Sequence, residues 1–208
     1  MNVSAKSSSL RSSALARFGA GLALLLLAAC SLPEAMPDPT RFYVLTSNAV
    51  AASPGAVAQP VRVYLRSVLV PDYLRGKLMQ VRLAENEVRY VDQARWAETL
   101  EPGLARVVRE NLVKSGTVDV VPRAGDAHAF EIVLQVRRCE GVLPAGVARL
   151  AVRIEIYSTD LDPQLLATDE FSTDVAGWDG QDYGQLAAKL SEAATQLAEH
   201  VVGLLPKT

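Results

Sequence analysis

Three successive runs of alternating apolar and polar residues, between positions 130 and 175, constrain the fold more than any other feature of the sequence. Neighbouring side chains in a strand point to opposite faces, so each run places its apolar residues on one face. The apolar sets are Phe130, Ile132, Leu134 and Val136, then Leu150, Val152, Ile154 and Ile156, followed by a last strand from about Gln164 to Val175. Because short loops join the runs, the pattern predicts an antiparallel meander with one apolar face and one polar face.

Two other segments have the period of an amphipathic helix. Residues 93–114 and 183–205 carry apolar residues three to four positions apart, with polar residues between them. Pro102 lies inside the first segment, so either the main helix begins near Glu101 with the proline in its first turn, or the helix bends there. The apolar positions are Trp96, Leu100, Leu104, Val107, Val108 and Leu112 in the first segment and Leu186, Leu190, Ala193, Leu197, Val201 and Leu204 in the second.

Two helices with one apolar stripe each can both be buried on the apolar face of a single sheet. The N-terminal half adds strands to that sheet: a short run at 41–45, an alternating run from Val61 to Arg66, and a hairpin over 79–90. The sequence therefore predicts an α+β fold of two layers, in which a largely antiparallel sheet has two amphipathic helices packed on one face.

The first thirty residues predict export and lipid attachment. Lys6, Arg11 and Arg17 precede an apolar run that ends in Leu27-Ala28-Ala29-Cys30. A basic head, a short apolar core and small residues before a cysteine indicate a lipoprotein signal peptide, cleaved so that Cys30 becomes the acylated first residue. The alternatives are an ordinary signal peptide cut after Ala28 or Ala29, or an uncleaved anchor, although the 12 apolar-rich residues from 18 to 29 are fewer than the roughly 20 needed to span a bilayer.

These features divide the chain into a signal peptide at 1–29, an acylated tether at 30–40 and a single α+β domain at 41–208. Three prolines within residues 31–40 predict an extended tether. Removal of the signal peptide takes away three of the 21 basic residues and none of the 23 acidic ones, which leaves a net charge of −5. An acidic body argues against a nucleic-acid partner. Acylation of Cys30 leaves Cys139 alone, so no disulfide can hold the domain.

Motifs that carry chemistry are missing from the sequence. It contains no C-x-x-C, H-x-x-x-H, G-x-S-x-G or phosphate-binding glycine loop. His128 and His200 are far apart, and Asp169 and Glu170 are neighbours that should point to opposite faces of a strand. Asp179 and Asp182 flank a glycine turn before a helix, which fits a helix cap. The sequence therefore predicts no catalytic residue, no metal site and no cofactor.

Four segments together resemble one family. They are the Leu27–Cys30 pattern, Phe42-Tyr43-Val44-Leu45, Val68-x-Val70-Pro71-Asp72-Tyr73-Leu74, and Arg95-Trp96-Ala97-Glu98-x-Leu100 at the start of the first predicted helix. This set is similar to the ABC-type transport auxiliary lipoprotein family, the PqiC-like proteins.

The resemblance implies a periplasm-facing lipoprotein of the outer membrane. It implies partnership with an MCE-domain protein and with ABC transporter components, in lipid transport that maintains envelope integrity, and it implies that copies of the chain can form a homo-oligomer. Ser31 after the acylated cysteine agrees with outer-membrane sorting. Two other hypotheses remain open: a pilotin-like or assembly lipoprotein of another envelope machine, and an envelope hydrolase with an unfamiliar site in a deep pocket.

Five residues are predicted to bind a partner: Pro71, Tyr73, Leu74, Arg95 and Trp96. The first three form an apolar turn, and for Tyr73 and Leu74 partner contact and core packing are equally open alternatives. For Trp96 the alternative is core packing, because it begins the apolar stripe of the predicted helix.

Overall fold

A computed structural model describes residues 37–52 and 59–206 of the 208-residue chain. The predicted signal peptide, Cys30 and most of the tether lie outside the described residues. The strands are β1 (Arg41–Tyr43), β2 (Val61–Leu69), β3 (Leu78–Ala84), β4 (Glu87–Trp96), β5 (Val118–Val120), β6 (Phe130–Val142), β7 (Val147–Ser158) and β8 (Leu165–Ala176), and the helices are α1 (Leu100–Lys114) and α2 (Tyr183–Leu204). Short 3₁₀ turns occupy Asp72–Leu74 and Leu143–Ala145.

Within the described part of the chain, the strands form one mixed sheet of eight strands centred on β6. β6 pairs with β7, and β7 with β8, in long antiparallel ladders. The predicted meander and the hairpin of β3 with β4 are confirmed. The other edge of β6 is shared, because its first half pairs in parallel with β2 and its last residues pair in parallel with β3. β5 continues the sheet beyond β2, while β4 and then β1 continue it beyond β3.

Both helices cover the same face of this sheet, as predicted. α1 packs against β2 and β5, α2 packs against β7 and β8, and the two helices contact each other. Leu150, Val152, Ile154 and Ile156 on β7 are completely buried beneath them. Asn111 on α1 donates to the Thr195 hydroxyl on α2 at 3.2 Å. The two-layer α+β architecture is therefore confirmed, with shorter parallel ladders beside the long antiparallel ones.

The first helix begins later than its apolar period suggests. Residues 93–96 belong to β4, and α1 begins at Leu100, so the expectation that Arg95 and Trp96 start the helix is wrong. Trp96 instead pairs with Tyr43 across the sheet. Pro102 lies in the first turn of α1, where a backbone N–H needs no partner within the helix. The first of the two alternatives for this proline is thus confirmed.

Candidate functional site

The two segments predicted to bind a partner lie side by side in the structure. Residues 71–77, which we call the 71–77 turn, connect β2 to β3, and the next residue, Leu78, pairs with Arg95 on β4. The Trp96 N–H donates to the Lys77 carbonyl at 2.7 Å, and the Lys77 ammonium donates to the Ala97 carbonyl at 3.2 Å. Residues far apart in sequence therefore form one continuous region at this end of the sheet.

The five predicted residues differ in what they offer to a partner. Leu74 is 0% exposed and Trp96 is 2% exposed, so both belong to the core. For Leu74, as for Trp96, the burial agrees with the core-packing alternative, so neither side chain is accessible to a partner. Pro71 and Tyr73 are half-buried and Arg95 is exposed. The accessible part of the region therefore consists of Pro71, Tyr73, Arg95 and the exposed residues of the 71–77 turn, and we call this the docking surface.

A buried polar cluster supports the 71–77 turn from below. The side chain of Glu140 on β6 is 0% exposed, and its carboxylate forms an ion pair with Arg82 on β3, whose side chain is 11% exposed. Arg82 makes a second bond to the same carboxylate, from Nη2 at 3.2 Å. The Tyr73 hydroxyl donates to the Arg137 carbonyl at 3.1 Å and lies 3.4 Å from the Glu140 carboxylate. The turn is thus tied by its own tyrosine to the central strand of the sheet.

Two more side chains hold the backbone of the turn. Gln80, which is 1% exposed, donates from Nε2 to the Tyr73 carbonyl at 3.3 Å. The Tyr90 hydroxyl donates to the same carbonyl, also at 3.3 Å. Because several hydrogen bonds converge on one residue, they hold the turn in one conformation.

The pKa shifts in this cluster favour a structural role for its side chains over a role in acid–base catalysis. Burial, and then the nearby Glu140 carboxylate, raise the pKa of Tyr73 to about 12, so the phenol stays protonated and donates a hydrogen bond. The hydrogen bond to Glu140 raises the pKa of Arg82, which keeps its positive charge. Burial raises the pKa of the neighbouring Cys139 thiol to about 12 as well. A buried thiol of this kind is a poor nucleophile.

Sequence reasoning missed Arg82 and Glu140. Both occupy positions on the face of the sheet away from the helices, where an alternating strand normally exposes polar residues. The turn that covers them adjoins β3, but its Tyr73 lies 67 residues before Glu140, so the period of either strand carries no signal for their burial. Their one visible trace is the pair of large residues, Tyr73 and Leu74, directly behind Pro71 and Asp72.

An open groove of about 770 Å³ lies between β1, the middle of β4 and the start of α2. Its lining includes Arg41, Arg89, Asp92, Asp179 and Asp182. Asp182 caps α2 by accepting from the Gly184 and Gln185 N–H groups, and Asp179 accepts from the backbone of its own turn, which lowers its pKa. Positive and negative groups of similar number meet in this groove, so it favours no ligand by charge.

The other titratable groups considered in the sequence do not converge. His200 on α2 lies 2.8 Å from the Asp169 carboxylate, whereas Glu170 pairs with Arg153 on the opposite face of β8. Asp169 and Glu170 therefore serve separate contacts, as their adjacency predicts. Among the residues that the structure describes, no group of three or more His, Cys, Asp or Glu side chains is placed to hold a metal ion. No helix of the described ranges is long and apolar enough to cross a membrane.

Comparisons with known proteins identify the family. A family model described as "ABC-type transport auxiliary lipoprotein component" matches residues 43–202. Comparison with curated proteins finds no match. Protein XCC0632 from Xanthomonas campestris, of the DUF330 family, has a similar crystal structure: it is 19% identical with a TM-score of 0.66, and the similarity covers 78% of this chain and 93% of that one.

A second solved structure, described as an uncharacterized protein, is 16% identical with a TM-score of 0.65 and covers 79% of this chain and 97% of its own. At such low identities these two likenesses show the fold alone. The family model, however, extends over more than half of the sequence and includes the docking surface, all of α1 and most of α2. The chain therefore belongs to the family of ABC-type transport auxiliary lipoprotein components.

Proposed function

We propose that this protein is a non-catalytic accessory subunit of an MCE/ABC-type lipid transport system that maintains the cell envelope. Acylation of Cys30 would anchor it to the outer membrane, with the domain in the periplasm. The family's description supports a role beside an ABC-type transporter. The pattern Leu27–Cys30 and the following Ser31 support the anchor and its membrane.

The observation that carries this proposal is that the accessible 71–77 turn is hydrogen-bonded to the strands beneath it and is therefore already ordered. Association costs less free energy when the binding surface is already ordered, because fewer side chains and backbone bonds are immobilised on binding. The 71–77 turn meets this condition through Tyr73, whose hydroxyl and carbonyl are both hydrogen-bonded to neighbouring strands. We infer that Pro71, Tyr73 and Arg95 contact the MCE-domain partner, while Leu74 and Trp96 hold that surface in place from the core.

Site-specific photo-crosslinking in cells tests the partner. A photoreactive amino acid in place of Arg75, whose side chain is 68% exposed, should form an adduct with an MCE-domain protein. The same amino acid in place of Leu161, a fully exposed residue in the turn between β7 and β8, is the matched control and should not. Adducts from position 75 with a secretin or a barrel-assembly factor would replace this proposal with the pilotin-like alternative.

A charge reversal tests whether Arg95 takes part. Arg95→Glu should weaken capture of the MCE-domain partner about tenfold or more, as expected when a charge at an interface is inverted. Arg109→Glu on the outer side of α1 makes the same change in charge at another exposed position and should leave capture unchanged. Equal capture by both variants would remove Arg95 from the docking surface.

Fractionation tests the anchor separately. Cys30→Ala should leave the protein unanchored, either soluble or still carrying its signal peptide, whereas the unaltered protein should fractionate with the outer membrane. Mass spectrometry of the mature N-terminus should find an acylated Cys30. Continued outer-membrane fractionation of Cys30→Ala would show that this cysteine is not the attachment point.

A further inference from the structure

The first strand and the residue that follows it present apolar side chains to solvent. Phe42 is 62% exposed and Val44 is 47% exposed, although both types of side chain are usually buried. Between them Tyr43 turns inward, and Leu45 after them is 2% exposed. The register of β1 with β4 fixes the outward placement of Phe42, and Val44, the residue after β1, continues the same alternation.

A positive charge lies directly beside this apolar pair. Phe42 pairs with Arg95 in the sheet, and paired residues on neighbouring strands point to the same face about 5 Å apart. Arg95 is exposed and forms no ion pair with the residues that the structure describes. We call Phe42, Val44 and Arg95 the β1 surface. An aromatic ring, an aliphatic side chain and an unpaired guanidinium together resemble the contacts that interfacial proteins make with lipid headgroups.

The position of the β1 surface along the chain indicates its occupant. Phe42 follows the predicted acylation site at Cys30 by 12 residues, and a chain of that length spans at most about 40 Å even when fully extended. Tethering at this distance gives the bilayer a high effective concentration near β1, so a small contact is enough to be populated.

Taken alone, the β1 surface offers less area than a protein occupant requires. Stable protein interfaces bury about 800 Å² on each partner, far more than Phe42 on its three-residue strand and Val44 directly after it provide. A bilayer has no such requirement, since acylation already holds the chain at the membrane and the β1 surface only sets its orientation.

We propose that the β1 surface contacts the bilayer to which the chain is anchored. Phe42 and Val44 enter the boundary between headgroups and acyl chains, and the Arg95 guanidinium binds lipid phosphates. The contact orients the domain on the membrane and goes beyond the accessory role proposed above, although it rests on the acyl anchor in that proposal. Arg95 belongs to the docking surface as well as to the β1 surface, so the test of the membrane contact leaves Arg95 unchanged and varies Phe42 and Val44.

Tryptophan fluorescence of the full-length acylated protein in vesicles tests this contact. The vesicles contain phosphatidylethanolamine and phosphatidylglycerol, with or without bromine on the acyl chains as a quencher. Phe42→Trp and Val44→Trp should each add an emission that falls by about half or more in brominated vesicles, because the ring lies at the acyl boundary. The unaltered protein gives the baseline for its two buried tryptophans, and Leu161→Trp is the exposed control that should not be quenched.

Flotation of the same samples separates the two proposals. Protein that floats with the vesicles while the added emission of Phe42→Trp and Val44→Trp remains unquenched would overturn the membrane contact and leave the anchor standing. Protein that does not float would overturn both. A blue shift in the added emission of Phe42→Trp that depends on protein concentration and needs no lipid would assign the β1 surface to a second copy of the chain, against the proposal.

Discussion

The ion pair between Arg82 and Glu140 predicts an unequal response to removing either partner. In Arg82→Met the Glu140 carboxylate, which is 0% exposed, would keep only the Tyr73 hydroxyl at 3.4 Å as a hydrogen-bond partner. Loss of one partner of a buried ion pair costs about 3–5 kcal/mol, and the complete burial of this carboxylate places the variant near 4 kcal/mol. At about 2–4 °C per kcal/mol for a domain of this size, its melting temperature should fall by roughly 8–16 °C.

The reverse substitution should cost less. In Glu140→Gln, Arg82 retains some solvent exposure and its 2.7 Å bond to the Glu85 carbonyl, and the glutamine can still accept one bond from the guanidinium. We expect a loss of about 2 kcal/mol in the free energy of unfolding. The double variant Arg82→Met with Glu140→Leu removes both charges and should be more stable than Arg82→Met alone, because no buried charge is left without a partner.

Urea unfolding at pH 7, followed by circular dichroism and by the fluorescence of the two buried tryptophans, measures these differences. The exposed pair of Arg62 and Asp119 supplies the control, since its side chains are 47% and 50% exposed. Arg62→Met should change the free energy of unfolding by less than about 1 kcal/mol. Equal losses in Arg82→Met and Glu140→Gln, or a loss below about 1 kcal/mol in both, would refute the reasoning from burial.

Three further predictions concern stability. Gly141→Ala should destabilise the fold by about 1–3 kcal/mol in urea unfolding, since its Cβ would lie 2.5 Å from the Trp178 ring, and a wild-type midpoint would contradict this. Asp182→Ala removes the N-cap of α2 and should cost about 1 kcal/mol in the same assay, whereas Asp182→Ser should retain most of it. Cys139 and Tyr73 both have a pKa raised to about 12 in the folded protein, against about 8.5 and 10 in the unfolded chain. Their contribution to the free energy of unfolding is therefore complete below the unfolded values and is lost as the pH rises toward 12. Cys139→Ala should reduce this loss of stability at alkaline pH, and a pH profile of stability equal to that of the unaltered protein would contradict the prediction.

The sequence predicts best where one element repeats its period over many residues. The apolar alternation of β6 and β7 and the stripe of α2 identify these elements, because each buries one face along its whole length. The same reasoning misplaces the start of α1, because Trp96 and Leu100 are four residues apart, a spacing that fits a helix even though Trp96 lies in a strand. The local period cannot decide whether Trp96 lies in a helix or in a strand, because the strand depends on its pairing with Tyr43, which is far away in the sequence.

The candidate site is only partly predictable for a related reason. Pro71 and Asp72 mark a turn from local chemistry alone. That this turn covers Glu140 depends on the parallel pairing of β2 and β3 with one edge of β6, and a register between distant strands leaves no periodic trace in the sequence. Leu74 is buried because the same strand pairing brings the turn onto the sheet, and this pairing cannot be recognised from the period of the sequence.

The shared edge of β6 also governs when the domain can fold. Neither β2 nor β3 has its central neighbour until residues 130–142 are available, so about two-thirds of the chain must be synthesised before the N-terminal strands can complete their hydrogen bonding. Pairings between such distant segments slow folding, because a long loop must close before the contacts reward it. Until then the early apolar segments stay exposed to proteases and to one another, and a nascent chain of this topology gains from a holding chaperone.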